Sequence, residues 1–441
     1  MCSKKLQDFE GKQLLIDVFI IIRRHFPDFF EELNSLWDNR KSPQYSVREL
    51  HFAAITLFLF KQNSRNQMNN NRRKGNFQNN YFTVFGMKLP HLDTVALHFE
   101  KSDPVYLENF KHSLLQKLIN KKVFKKFLYD KYYPVAIDGT GISSYDYEPF
   151  PECPYKEYKN GKKVWQVPIL EAKLVFCNGF SLSLGTEWII NTGNFDKQNC
   201  EQKAFKSLSE KIKKYFPRLP ILILADGLYP NDSVFTICEQ YNWQYIITLK
   251  EGNLKSIWEE MRWEFDVAKM KPHINILKNK PEHKSVQYCS FVNGQEYKSH
   301  QISVIECIEK KTIKEKSKQQ HFVFITNYRA TEDNIFSLCH FGRMRWNIEN
   351  QGFNAQKNQG YFLKHKFSRT NLTARQNYYQ TMQIAHLINQ LVDKSKRFLR
   401  LLIGKNTIKS IWISLVAFMT LGNIETSLIK ELSIINCQIR Y

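Results

Sequence analysis

The stretch PILILADGLYP (220–230) narrows the choice of fold more than any other part of the chain. Its apolar residues run without alternation over the length of a strand, and a strand of that kind has to be covered on both faces. YYPVAIDGTG (132–141) has the same form, an apolar run reaching Asp-Gly, and reads as a strand entering a turn. Between and around them, EAKLVFCNG (171–179) and FSLSLGTEWII (180–190) read as a hairpin turning at Asn178-Gly179. KQNCEQKAFKSLSEKIKKYF (197–216) reads as an amphipathic helix, followed after the second buried strand by a helix over 231–241 and the strand YIITLK (245–250). Three strands, helix, strand, helix, strand is an α/β order whose central strands are buried.

The flanks have a different texture. Residues 1 to about 128 read as helical: SVRE (46–49) has the capping-box pattern, and SDPVYLENFKHSLLQKLINKKVF (102–124) opens with Asp103 and Pro104 and ends rich in lysine. Between these helices, the Asn-rich and basic QNSRNQMNNNRRKGNFQNNY (62–81) reads as a mobile loop, either a plain surface insertion or a DNA contact. From 252 to 324 strand patterns return, with the charged EKKTIKEKSKQQ (309–320) expected as an exposed loop and HFVFITN (321–327) as a return to the main sheet. Residues 330–357 read as helical, as does the chain from about 372. The expected organisation is a helical region over 1–128, a core over 129–251, a β-rich insertion over 252–324, a second part of the core over 325–371 and a helical region over 372–441.

Lys and Arg number 64 against 42 Asp and Glu, a net charge of +22 spread along the chain. Such a field favours an anionic polymer or surface, and nucleic acid before others. The longest apolar runs, 14–22 and 411–421, are too short to cross roughly 30 Å of hydrocarbon. The first contains Asp17 and lacks the cleavage site of a signal peptide. Nine scattered cysteines, without a C-x-x-C pair, fit a reducing cytosol. No Cys/His cluster has ligand spacing along the chain, which argues against zinc.

Asp138 and Asp226 each stand at an Asp-Gly step after an apolar strand. In open α/β sheets ligands bind where buried strands end. Carboxylates gathered there need a compensating cation, and hard oxygen ligands suit Mg²⁺. If Glu349, in RMRWNIENQGFNAQK (343–357), joins them, two ions about 3.5–4 Å apart could activate an attacking oxygen and stabilise the leaving one of a phosphodiester. Plainer readings stand beside this one. Asp-Gly is often only a turn, Glu349 could pair with Arg345 four residues away, and Asp196, Glu187 and Glu201 compete for a ligand role.

The stretches VAIDGTG, ILILADGLY and RWNIENQGFNAQK, together with KQNCEQKAF and KNQGYFLKH, resemble those of a DDE transposase of a bacterial insertion sequence, of the type with a β-rich insertion before the glutamate. The likeness covers about 130 to 370 and is fainter over PHLDTV (90–95). It implies a ribonuclease-H-like catalytic core, with Asp138, Asp226 and Glu349 as catalytic metal ligands for two Mg²⁺ ions, Mn²⁺ substituting. It implies cleavage of double-stranded DNA at terminal inverted repeats, strand transfer into target DNA, a homodimer in the transposition complex, and work in the bacterial cytoplasm. Members often carry a tyrosine–arginine–glutamate–lysine signature. Arg345 and Glu349 match it, Gly342 stands at the tyrosine position, and Lys357 comes one residue late, with Gln356 in the usual place. On an ideal helix Lys357 lies roughly 80° from Glu349.

Arg345 and Lys357 are thus the expected phosphate contacts, with Lys250 a further one or merely solvated. Some relatives flip a base onto a tryptophan; Trp346, Trp258 and Trp263 are the candidates, with core packing the plainer role for each. Two other functions fit the residues: a metal-dependent nuclease without strand transfer, and an inert DNA-binding derivative of a transposase. A glycosidase with paired carboxylates gives +22 no purpose.

Overall fold

In the computed structural model, residues 2–190, 197–267, 271–280, 283–314, 316–404, 406–427, 429 and 439–441 are described. Seven helices come first: α1 (Cys2–His25), α2 (Phe29–Asn34), α3 (Val47–Leu59), α4 (Arg65–Arg72), α5 (Phe77–Phe85), α6 (Leu92–Phe99) and α7 (Val105–Asn120). Ser46 caps α3 as its sequence predicts, accepting from Glu49 N while the Glu49 carboxylate accepts from Ser46 N.

Then come β1 (Tyr133–Tyr145), β2 (Tyr155–Glu157), β3 (Lys163–Val175), β4 (Ser181–Trp188), α8 (Lys197–Tyr215), β5 (Ile221–Ala225), α9 (Asp232–Gln240), β6 (Gln244–Thr248) and α10 (Lys255–Val267). Four more strands follow: β7 (His273–Lys280), β8 (His283–Tyr297), β9 (His300–Ile313) and β10 (Lys316–Thr326). The chain closes with α11 (Ile335–Met344), a π-helical turn (Ile348–Phe353), α12 (Asn354–Asn358), α13 (Leu372–Asp393), α14 (Lys396–Leu399) and α15 (Ile408–Leu421).

The protein is mixed α/β, with one ten-stranded sheet in the order β2-β3-β1-β5-β6-β10-β9-β8-β7 and β4 beside β3. β1 is antiparallel to β3 and parallel to β5, and β5 is parallel to β6. All five residues of β5 are buried, as a continuous apolar run at the sheet's centre requires. Antiparallel pairing of β10 with β6 joins β7–β10 to this same sheet, so the strands after 252 continue it, and the segment opens with α10 rather than with a strand.

Two loop expectations are corrected. Residues 62–81 hold α4 and the start of α5, because their asparagines make fixed bonds rather than solvating a loop. Asn71 donates to Gln62 Oε1 (2.6 Å), Asn69 accepts from Leu92 N (2.9 Å), and Asn80 donates to the Met419 and Gly422 carbonyls (2.9 and 2.8 Å). The described residues of this stretch, 309–314 and 316–320, belong to the β9–β10 hairpin, paired rung by rung from Glu309–Gln320 to Ile313–Lys316, with most of their charges facing solvent.

α13 is buried almost throughout and lies between the sheet, at β4, and the N-terminal helices α1, α3, α6 and α7. Its polar side chains bond both sides. Asn377 donates to the carbonyls of Phe99 and Ser102, and Gln390 exchanges bonds with the Ser181 backbone. α15 packs along α1, so the two helical flanks share one core. Among the described residues, no helix is long and apolar enough to cross a membrane.

This helical body should lose stability in acid. Burial holds His51 down to about 3, and His25 and His98 to about 4. An unfolded histidine takes its proton near pH 6.5, so as pH falls from there toward 4 the unfolded chain binds protons that the native state refuses. The expected loss is about 1.4 kcal/mol per histidine per pH unit, read as a falling urea midpoint between about pH 7 and pH 5. An unchanged midpoint would mean that these rings accept protons in place.

Candidate active site

Strand register sets the two aspartates at the same end of neighbouring strands. Tyr133–Ala136 of β1 pair in parallel with Ile221–Leu224 of β5. Two residues beyond each last pair, at the same level on neighbouring strands, stand Asp138 and Asp226. β5 has ended there, which frees that edge of β1, and burial along β1 drops from full to partial at Asp138. Asp138 does not itself end a strand, contrary to the sequence expectation. β1 continues to Tyr145, held by β3, with Asp138 opposite Glu171.

Gly139 is accordingly a strand residue and not a turn. A side chain there would collide with the carboxylate of Glu201, a buried acid from α8. The second Asp-Gly is a turn: Asp226 Oδ1 accepts from Leu228 N (2.9 Å), and its carbonyl accepts from Tyr229 N (3.2 Å). Gly227 leaves room for the stem of Lys250, whose Nζ lies 3.4 Å from Asp226 Oδ2.

Glu349 is exposed on the π-helical turn, which packs on β1, β3 and β4. Ile348 and Phe353 are buried, Gly352 lies close to Ser181 and the Lys173 stem, and Asn347 donates to the Phe176 carbonyl (3.2 Å). Arg345 does not spend itself on Glu349; its Nη1 lies 3.9 Å from Asp138 Oδ2 and its guanidinium 5.6 Å from the Trp346 ring centroid.

The π turn also changes where Lys357 stands relative to Glu349. It takes up one residue more than an α turn, which brings Lys357 back toward the face of Glu349. Burial and then the Lys364 charge pull the Lys357 ammonium down from its usual range, while Glu349 and Asp138 hold it up. Gln356, at the usual lysine position, is buried against Gln383 (2.8 Å) and His386 (3.1 Å). At Gly342 a Cβ would sit 2.8 Å from the Phe324 ring and 3.0 Å from Ile246, so no tyrosine fits there.

Of the competing acids, Glu187 is 3.1 Å from Lys211, and Asp196 lies outside the described residues. Glu201 belongs with the site. Tyr229, which the sequence did not mark, reports the convergence: burial and then the charges of Glu201, Asp226 and Asp138 push its hydroxyl well above its usual range. Its one sequence signal is its place three residues after Asp226.

Core packing fails for two tryptophans. Trp346 is 52% and Trp263 61% exposed. Trp346 helps line a cleft of about 730 Å³ that also takes in Phe322, His340, Asn347 and Asn350. Trp258 is half-buried and donates from Nε1 to the Lys250 carbonyl (2.8 Å).

Asp138 and Asp226 keep 24% and 21% of their side-chain surface open, and Glu349 is exposed. Partly accessible carboxylate oxygens are of the hard type that a divalent cation retaining waters takes, although among the described residues these acids are not drawn together within 4.8 Å as a group of three. No protein-family model matches the chain, and no curated protein matches it.

Proposed function

We propose that the chain is a DDE transposase, cutting double-stranded DNA at the ends of an insertion sequence and joining the freed 3′ end to target DNA. The observation that carries this reading is that Asp138 of β1 and Asp226, just past the end of β5, each stand two residues beyond the last pair of these adjacent strands, with the Glu349 turn packed against β1. The run β4-β3-β1-β5-β6, antiparallel on one side of β1 and parallel on the other, supports a ribonuclease-H-like core.

Asp138, Asp226 and Glu349 would hold two Mg²⁺ ions, with Mn²⁺ as substitute. When bound, these ions supply activation of the attacking oxygen and stabilisation of the leaving one. Arg345 and Lys357 flank the acids and would grip the scissile strand's phosphates. Lys250 would turn from Asp226 to phosphate once that carboxylate is engaged. Trp346 offers an exposed ring on which a displaced base can stack.

A groove of about 960 Å³ between α4 and residues 364–370 is lined by Arg65, Arg73, Lys364, Lys366 and Arg369. It gives the duplex a basic path, and recognition of the terminal repeats and action as a homodimer belong to the same proposal. The test is cleavage of a duplex carrying the inverted repeats that flank the coding region. Mg²⁺ or Mn²⁺ should support cutting, whereas Ca²⁺ should allow binding but little cutting, because its larger and looser shell misplaces the attacking oxygen. Robust cutting in excess chelator would sink the reading.

A further inference from the structure

Three cysteines far apart in sequence come together away from the acids. Cys289 of β8 and Cys307 of β9 face each other across the ladder, and Cys339 of α11 descends on them from above. All three are fully buried, and their Sγ atoms lie within 4.8 Å of one another, with Cys289 and Cys339 at 3.7 Å. Among the described residues this is the one group of metal-ligating side chains so gathered.

We propose that these thiols form a binding site for a thiophilic d¹⁰ cation, zinc(II) or copper(I). Chance packing of cysteines as small apolar residues asks for no mutual approach of three sulfurs from three separate elements. The 3.7 Å edge is close to the roughly 3.8 Å between sulfurs of a tetrahedral site with 2.3 Å zinc–sulfur bonds. Soft thiolates select zinc and copper(I) over the hard Mg²⁺ that suits the carboxylate site, so the two sites would not compete.

Binding requires no oxidant: each thiol that ligates gives its proton to solvent, and three thiolates on zinc(II) leave one negative charge, on copper(I) two. A group with one net positive charge is near at hand to offset it, since Arg343 and Lys311 both pair with Glu309. Arg343, one turn along α11 from Cys339, pairs with the buried Glu309, two residues on from Cys307. The bound ion would rivet α11 to β8 and β9. α11 leads directly into Arg345, Trp346 and Glu349, so the rivet would set how firmly that segment sits on the sheet. The inference is independent of what the acids do.

The experiment is metal analysis of the full-length protein purified without chelator, followed by anaerobic titration of the stripped protein with zinc(II), cobalt(II) or copper(I). About one equivalent should bind away from the carboxylates and, with cobalt, give a thiolate charge-transfer band. Occupancy by zinc or by copper distinguishes the two ions. Cys339→Ser and, separately, Cys289→Ser should weaken binding at least about 100-fold, and Cys238→Ser, at a buried thiol outside the cluster, should not. Should one variant fail to fold, the cobalt charge-transfer band of the unaltered protein still decides. No bound equivalent and no cobalt charge-transfer band in excess metal, or a disulfide within the cluster in freshly purified protein, would overturn the proposal.

Discussion

Asp138→Ala, Asp226→Ala and Glu349→Ala are each expected to reduce DNA cleavage by about 10³-fold or more, the rate equivalent of about 4 kcal/mol of lost stabilisation. Duplex affinity should hold nearly constant, because the groove lined by Arg65, Arg73, Lys364, Lys366 and Arg369 is untouched. Asp226→Ala also frees Lys250 from its 3.4 Å partner, so binding in that variant should if anything tighten. Gel-shift and single-turnover cleavage on the same duplex separate the two effects. Full activity in any one variant would falsify that residue's role as a ligand.

The second large effect is on stability. Glu171, the strand partner of Asp138, is fully buried and accepts bonds from Thr186 (2.7 Å) and Tyr379 (2.9 Å), with Lys173 at 3.7 Å. Lys173 is also fully buried and donates to Gln383 (3.0 Å). Glu171→Ala strips a buried ammonium of its anion, which should cost about 3–5 kcal/mol. Burial already pushes Lys173 down to about 8, with Glu171 opposing that shift. The folded value thus lies below the roughly 10.4 of an unfolded lysine. Between those values the unfolded chain holds more protons, and stability from this group rises with pH. Removing Glu171, which opposes that fall, lowers the folded value further, so the variant's stability begins to rise below about pH 8 and it should recover part of its loss between about pH 7 and pH 8. Denaturant melts at both values check it; a loss under about 1 kcal/mol would mean that water reaches the pair.

The strands β1 and β5 were legible because a continuous apolar run fits few environments, and the α3 cap because Ser46 and Glu49 carry it locally. Asp138 and Asp226 could be picked out but not brought together, since their meeting depends on the β1–β5 register, which is a tertiary property. The π turn was hidden for a related reason. Nothing in IENQGF marks it, and it is packing of Ile348, Gly352 and Phe353 on the sheet that accompanies it. Composition misled at 62–81, where asparagine reads as solvated chain unless its carbonyl and amide partners are known. Nor does the wide spacing of the cysteines hint that β8, β9 and α11 bring three of them together. Trp346 and Trp263 were misjudged because a large ring is buried on average, and only the fold shows the exceptions.

The most direct test of the central claim is strand transfer itself. A duplex ending in the element's inverted repeat, pre-cut to expose its 3′-hydroxyl, is incubated with the protein, supercoiled target plasmid and Mg²⁺. The account predicts plasmid covalently joined to the labelled end, absent with chelator and absent with Glu349→Gln. Nicked or linear plasmid without joined product would make the protein a nuclease, and intact plasmid beside tightly bound DNA would make it an inert binder; either result contradicts the account.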